Sequence, residues 1–233
     1  MGFKDFSAES PENYDQKSIC CFVVDVSSSM SGAAIAELNR GLQEFHHQIS
    51  DDYQTANKLE VAVVQFGSNV DMLVSPALPY NFEMPLLKAH GSTKLVDGVR
   101  KAMTLVEGRK DWYKMTGQPY LRPWIILITD GEPDQGQDIN GLSAEIEEGT
   151  KNKKFVFLPI GVQGANMEVL EKIAGYNKKG ADWQKMMPMK LRGLKFAEFF
   201  EWVSASMSVV ASSTEEESVN LPDISNWMEG FEI

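Results

Sequence analysis

The sequence predicts an α/β fold: a doubly wound, mainly parallel central sheet with one antiparallel edge hairpin and helices on both faces. Three observations carry this. Short apolar runs alternate with helical patterns along the chain, as parallel sheets with crossover helices require. Two of the runs are separated by only three residues, too few for a parallel crossover. The composition, 43% hydrophobic and 24% charged over 233 residues, supports one substantial core without covalent staples.

Residues 19–24 form a nearly unbroken apolar run, the signature of a strand covered on both faces. Ile35, Leu38, Leu42, Phe45 and Ile49 then recur at helical spacing, giving an amphipathic helix. Residues 61–66 read as the second strand. Gly67, Ser68 and Asn69 turn the chain into a third strand at 70–74, which pairs antiparallel with the second. Leu95, Val99, Met103 and Val106 mark a helix that opens just after Thr93. Residues 124–129 are the next strand, followed by a helix on Ile139, Leu142 and Ile146 and a strand at 155–160. Met167, Leu170 and Ile173 make a short helix, and residues 183–187 are expected as a short edge strand. Residues 194–210 form the last strong helix. The organisation is then a polar segment at 1–17, one domain at 18–213 and an acidic tail at 214–233.

Charge and cysteine usage narrow the function. The formal net charge of −11 argues against a binder of nucleic-acid phosphates. More than half of it lies in the tail, on Glu215, Glu216, Glu217, Asp223, Glu229 and Glu232. Cys20 and Cys21, the sole cysteines, are adjacent in a strand, where neighbouring side chains point to opposite faces, so no disulfide is expected between them. No apolar run approaches the roughly 18 residues of a membrane span. The polar N-terminal segment lacks the basic start and apolar stretch of a secretory signal. A cytoplasmic location with no membrane contact is expected.

A doubly wound sheet places its ligand beyond the carboxyl ends of its strands. There the first strand ends in Asp25, Val26, Ser27, Ser28 and Ser29. Thr93 directly precedes a helix, and the 124–129 strand runs into Asp130. Asp25, Ser27, Ser29, Thr93 and Asp130 are all oxygen donors, without histidine or thiolate. That set suits a hard cation, Mg²⁺ first, with Mn²⁺ and Ca²⁺ as alternatives. Each residue alone has a structural explanation as an N-cap or turn former. Their convergence from three loops favours a shared site.

These residues resemble the von Willebrand factor A (VWA) family, whose metal-ion-dependent adhesion site uses Asp-X-Ser-X-Ser, a distant Thr and a distant Asp. The resemblance spans about residues 18–210 and implies the Rossmann-like VWA fold. Within the family, residues 93–98 and 122–133 are most similar to the bacterial TerY-type proteins associated with tellurite resistance. That likeness implies a cytoplasmic stress-response scaffold working with phosphatase and kinase partners. Ser92 departs from the pattern, since many relatives carry Gly there, while the Thr93 hydroxyl is kept. With neutral hydroxyls as inner ligands, the cation retains charge, and a carboxylate presented by a protein partner completes its coordination. Glu132, Asp134 and Asp138 surround the position and would repel a broadly acidic partner.

Two other classes compete. A haloacid-dehalogenase-type phosphatase also places an Asp at its first strand end, but needs a second Asp two residues on, where this chain has Ser27. A structural subunit that makes no use of the metal is the other. No catalytic residues are assigned, and His46, His47 and His90 are read as neighbours of the fold or site. Two segments remain as candidate contact surfaces. One is the aromatic stretch at 109–122, expected to join a helix to a strand, whose rings either cover the bottom of the sheet or form a second contact surface. The other is the tail, whose Leu221, Ile224, Trp227, Met228 and Phe231 either pack on their own domain or mediate self-association.

Overall fold

The computed structural model describes residues 9–130, 132–162, 164–174, 187–213 and 220–229. Its centre is β1 (Ser18–Asp25), completely buried and paired in parallel on both sides, as its unbroken apolar sequence demands. β2 (Leu59–Phe66) flanks it on one side and β4 (Trp124–Thr129) on the other. β3 (Val70–Ala77) pairs antiparallel with β2 as the edge hairpin, while β5 (Val156–Gly161) and β6 (Met189–Lys190) extend the other side in parallel. The strand order is β3-β2-β1-β4-β5-β6. The winding direction reverses between β1 and β4, so the loops leaving their carboxyl ends diverge and open a crevice.

Alternation along β1 divides the core. Cys20, Phe22 and Val24 face α1 (Ala33–Asp51) and α6 (Phe196–Ser212), where Phe22, Phe45 and Phe200 meet edge-on or tilted. Ile19, Cys21 and Val23 face the opposite layer, built from α3 (Leu95–Thr116), α4 (Ile139–Lys151) and α5 (Met167–Ile173). Both cysteines are fully buried free thiols. A short helix, α2 (Tyr53–Lys58), was not expected from the sequence. It has no apolar periodicity and is initiated by the Asp52 carboxylate, which accepts from Gln54 N.

Two expectations require correction. The 109–122 segment is not simply a connection: α3 continues to Thr116 and ends at Gly117, whose φ of 71° suits a left-handed helix cap. Within that extension Trp112 and Tyr113 are buried. Tyr113 Oη donates to Glu60 at 2.7 Å, and Glu60 also receives two hydrogen bonds from Arg109. These aromatics seal the amino-terminal edge of the sheet. The edge strand is Met189–Lys190; of the 183–187 strand expected from the sequence, residues 183–186 lie outside the described residues.

The described ends of the chain are packed against the body. Lys17 N donates to Pro119 O, and Glu12 bonds Tyr80 and Asn81. In the C-terminal segment, Trp227 is 1% exposed, Met228 forms an antiparallel bridge with Leu191, and Trp202 Nε1 donates to Pro222 O at 2.9 Å. Residues 220–229 thereby cover the β6 side, which a two-residue strand leaves poorly protected. No helix among the described residues is long and apolar enough to cross a membrane.

Candidate metal site

The carboxyl edge brings Asp25, Ser27, Ser29, Thr93 and Asp130 onto three interlocked loops. The first leaves β1. Asp25 has no exposed surface, and both of its carboxylate oxygens are engaged: one accepts Ser27 N at 2.8 Å, the other accepts Thr129 Oγ1 at 2.6 Å. Burial pushes its pKa up to about 6, against the downward pull of the bonds from Ser27 and Thr129, and the nearby Asp130 charge adds to the rise. Ser27 and Ser29 hydroxyls lie 2.9 Å apart. The turn of 3₁₀ helix at Ser28–Met30 leaves Ser29 exposed and Ser27 buried.

The second loop is laced to the first. His90 N donates to Val26 O at 2.7 Å, and both the amide and hydroxyl of Ser28 donate to Gly91 O at 3.0 Å. Gly91 has φ of 79° and its Cα faces the Ser68 hydroxyl, so a side chain there would be strained and obstructed. The long approach to this loop is held by α1: Asn39 donates to Leu87 O and accepts from Leu87 N, Gln43 Nε2 donates to Met84 O, and the His46 ring bonds Pro79 O. His46 thus has a structural partner, while His90 contributes its backbone and bonds Lys88 O through its ring.

The third loop follows β4 and clamps the second. Thr93 N donates to Asp134 Oδ1 at 3.1 Å; Thr93 O accepts from Asp134 N at 3.1 Å and from Gln137 Nε2 at 2.6 Å. Gln137 Oε1 in turn accepts Val96 N at 2.8 Å. α3 has no side-chain cap of its own, because its N-cap position is Lys94, and Gln137 supplies that cap from a distant loop. Sequence reasoning missed Asp134 and Gln137 as the residues that fix Thr93. The three surrounding acids all have internal roles: Asp134 holds Thr93, Glu132 accepts from Asn166 at 3.1 Å, and Asp138 caps α4 and pairs with Arg100.

Asp130 is 8% exposed, and its Oδ1 is buried without a hydrogen-bond partner among the described residues. A buried carboxylate oxygen without a donor is costly, and a cation or a cation-bound water would satisfy it. The donor set therefore fits a hard divalent ion. Among the described residues no group of three His, Cys, Asp or Glu could hold a metal, so any such site here depends on hydroxyls as well as the two carboxylates.

The fold and this edge define an α/β domain with its polar loops gathered at the sheet's switch point. The chain belongs to the von Willebrand factor type A domain family, whose model matches residues 20–186. Members of this family are generally interaction modules rather than enzymes. A von Willebrand factor A domain-containing protein of Dictyostelium discoideum is 29% identical over 121 residues, covering 52% of this chain and 12% of that protein. The chain thus spans about 12% of the length of the curated relative it matches. Proximal thread matrix protein 1 of the mussel byssus, with a zinc-occupied adhesion-site motif, superimposes with a TM-score of 0.58 at 17% identity, covering 82% of this chain and 46% of that one. The pilus adhesin SpaC of Lactobacillus rhamnosus GG gives 0.63 at 13% identity over 85% and 31%. The von Willebrand factor domain of a type V pilus tip protein of Porphyromonas gingivalis gives 0.58 at 11% over 88% and 99%. At these identities the structural likenesses establish the fold alone.

Proposed function

We propose that the domain is a metal-dependent protein-interaction module in which Ser27, Ser29 and Thr93 hold a divalent cation, while Asp25 and Asp130 orient those hydroxyls or bind through water. The observation that carries this reading is the buried, unpartnered Asp130 Oδ1 on a loop tied to Thr93. The cation would supply Lewis acidity toward an incoming oxygen ligand. Mg²⁺ suits the neutral hydroxyl set, with Mn²⁺ as its closest substitute. The zinc reported in the mussel protein's motif supports divalent binding in this fold in general terms.

The ligand that completes such a site is a single carboxylate presented by a protein partner. Glu132 and Asp138 are exposed beside it and oppose a broadly acidic surface. The likeness of residues 93–98 and 122–133 to TerY-type proteins supports a cytoplasmic role in a bacterial stress response, with phosphatase or kinase partners. Partner capture from lysate onto the immobilised domain, in Mg²⁺ or in chelator, tests the reading. Capture that requires Mg²⁺ and fails with Asp130→Asn is expected. Capture indifferent to both would overturn it.

A further inference from the structure

The amino-terminal edge of the sheet, opposite the candidate metal site, carries a groove of about 1020 Å³. Gln118, Tyr120, Arg122, Trp124, Lys153 and Lys154 line it, and no acidic residue does so among the described residues. In a chain of net charge −11, such a wall of one positive sign is unexpected. The two lysines have a local explanation, since they follow the carbonyl end of α4, where cations are favoured. Arg122 does not. It is half-buried, its pKa is lowered by that burial with no neighbouring carboxylate offsetting the effect, and its guanidinium has no ion-pair partner among the described residues. A guanidinium withdrawn from water without a counter-charge stores a desolvation cost that an arriving anion would repay.

The groove makes further chemical demands. Tyr120, Leu121, Trp124 and Val156 add aromatic and aliphatic surface to its walls. An inorganic anion answers only the basic side chains. A peptide bearing carboxylates answers both, with acid side chains for Arg122 and carbon for the apolar walls. Lys153 and Lys154 are available to the same ligand. Lys153 is exposed, and Lys154 stands 4.0 Å from Glu148, a distance at the limit of an ion pair. Lys110 also lines the groove but is already paired with Glu107 at 3.1 Å.

We propose that this groove is a docking site for an acidic peptide segment, anchored by Arg122 and flanked by Lys153 and Lys154. It is separate from the metal edge and would operate without a cation. The test is a calorimetric titration of the full chain, in chelator, with a short synthetic peptide carrying three consecutive glutamates and a leucine. Binding should weaken at least about tenfold in both Arg122→Glu and Arg122→Gln, less in Lys153→Glu, and not at all in Asp25→Ala. Circular dichroism of each variant separates lost binding from lost folding. Glu215, Glu216 and Glu217 lie between Ser213 and Leu221, both of which line the groove. Binding that emerges only when these three glutamates are replaced by Gln would also support the site, with the chain's own acids as competitors. Equal affinity in wild type and both folded Arg122 variants would overturn the proposal. So would absence of binding even in the triple Gln variant, or pyrophosphate binding as tightly as the peptide.

Discussion

Gln137 offers a quantitative test of how the site is held together. Its amide joins two loops: Nε2 donates to Thr93 O at 2.6 Å, and Oε1 accepts Val96 N at 2.8 Å. Gln137→Ala removes both. The Val96 bond acts as the N-cap that Lys94 cannot provide, worth about 1 kcal/mol. The Thr93 bond contributes a further ~1 kcal/mol, moderated because Asp134 N still reaches the same carbonyl at 3.1 Å. Together the loss is about 2 kcal/mol, which in binding terms is roughly a thirtyfold effect if all of it falls on the metal-competent arrangement. Some will fall on global stability instead. The expected result is a loss of ~1–2 kcal/mol in urea unfolding under chelator and about tenfold weaker Mn²⁺ binding by calorimetry, in keeping with residues that orient metal ligands. Gln137→Glu keeps the acceptor for Val96 N but puts a carboxylate against Thr93 O. It should recover the share of stability that comes from the Val96 cap, without recovering affinity. Wild-type affinity in a folded Gln137→Ala variant would refute the argument that this side chain positions Thr93.

Three further outcomes follow from the same structure. Burial raises the Asp25 pKa to about 6 in the metal-free fold, so a cation must displace its proton at low pH: affinity should be flat above about pH 7 and fall by up to tenfold per unit below 6. The same shift makes Asp25's contribution to metal-free stability complete below its unfolded pKa of about 3.9 and lost as pH rises through 6; metal affinity independent of pH from 5 to 7, or the same pH slope of urea unfolding in chelator for wild type and Asp25→Asn, would contradict the shift. Glu60→Ala removes two hydrogen bonds from buried Arg109 and the acceptor of the Tyr113 hydroxyl, while Glu9 still pairs with Arg109, so it should cost about 2–3 kcal/mol in urea unfolding; a cost under ~1 kcal/mol would show the pair to be dispensable. Truncation after Ser213 strips away buried Trp227 and Met228 together with the bridge to Leu191, so unfolding free energy should drop by about 3 kcal/mol or more, and unchanged melting would contradict that packing.

The strands and long helices were legible because burial writes itself into sequence as period. β1, covered on both faces, is an unbroken apolar run, and α1 repeats Leu38, Leu42, Phe45 and Ile49 on its buried face. α2 was not legible, since Tyr53–Lys58 is polar and depends on a single Asp52 cap. β6 escaped for a different reason: two residues carry no alternation, and its partners are β5 and the distant C-terminal segment. The end of α3 was obscured because its buried face includes Arg109 and Lys110, which become interior only through pairing with Glu60 and Glu107. At the candidate site, Asp25 and Asp130 stood out by sitting at strand ends. The bonds from Asp134 and Gln137 to Thr93 span more than forty residues, and no local pattern announces them.

The central claim is that Asp130, Thr93 and the two serines make one cation site. Its most direct test is titration of the metal-free protein with Mn²⁺, followed by electron paramagnetic resonance, in wild type, Asp130→Asn and Thr93→Ala. One bound Mn²⁺ per chain in the wild type, displaced by excess Mg²⁺ and lost in both variants while their folded spectra persist, is the predicted result. Mn²⁺ binding of equal stoichiometry and affinity in all three proteins would contradict it.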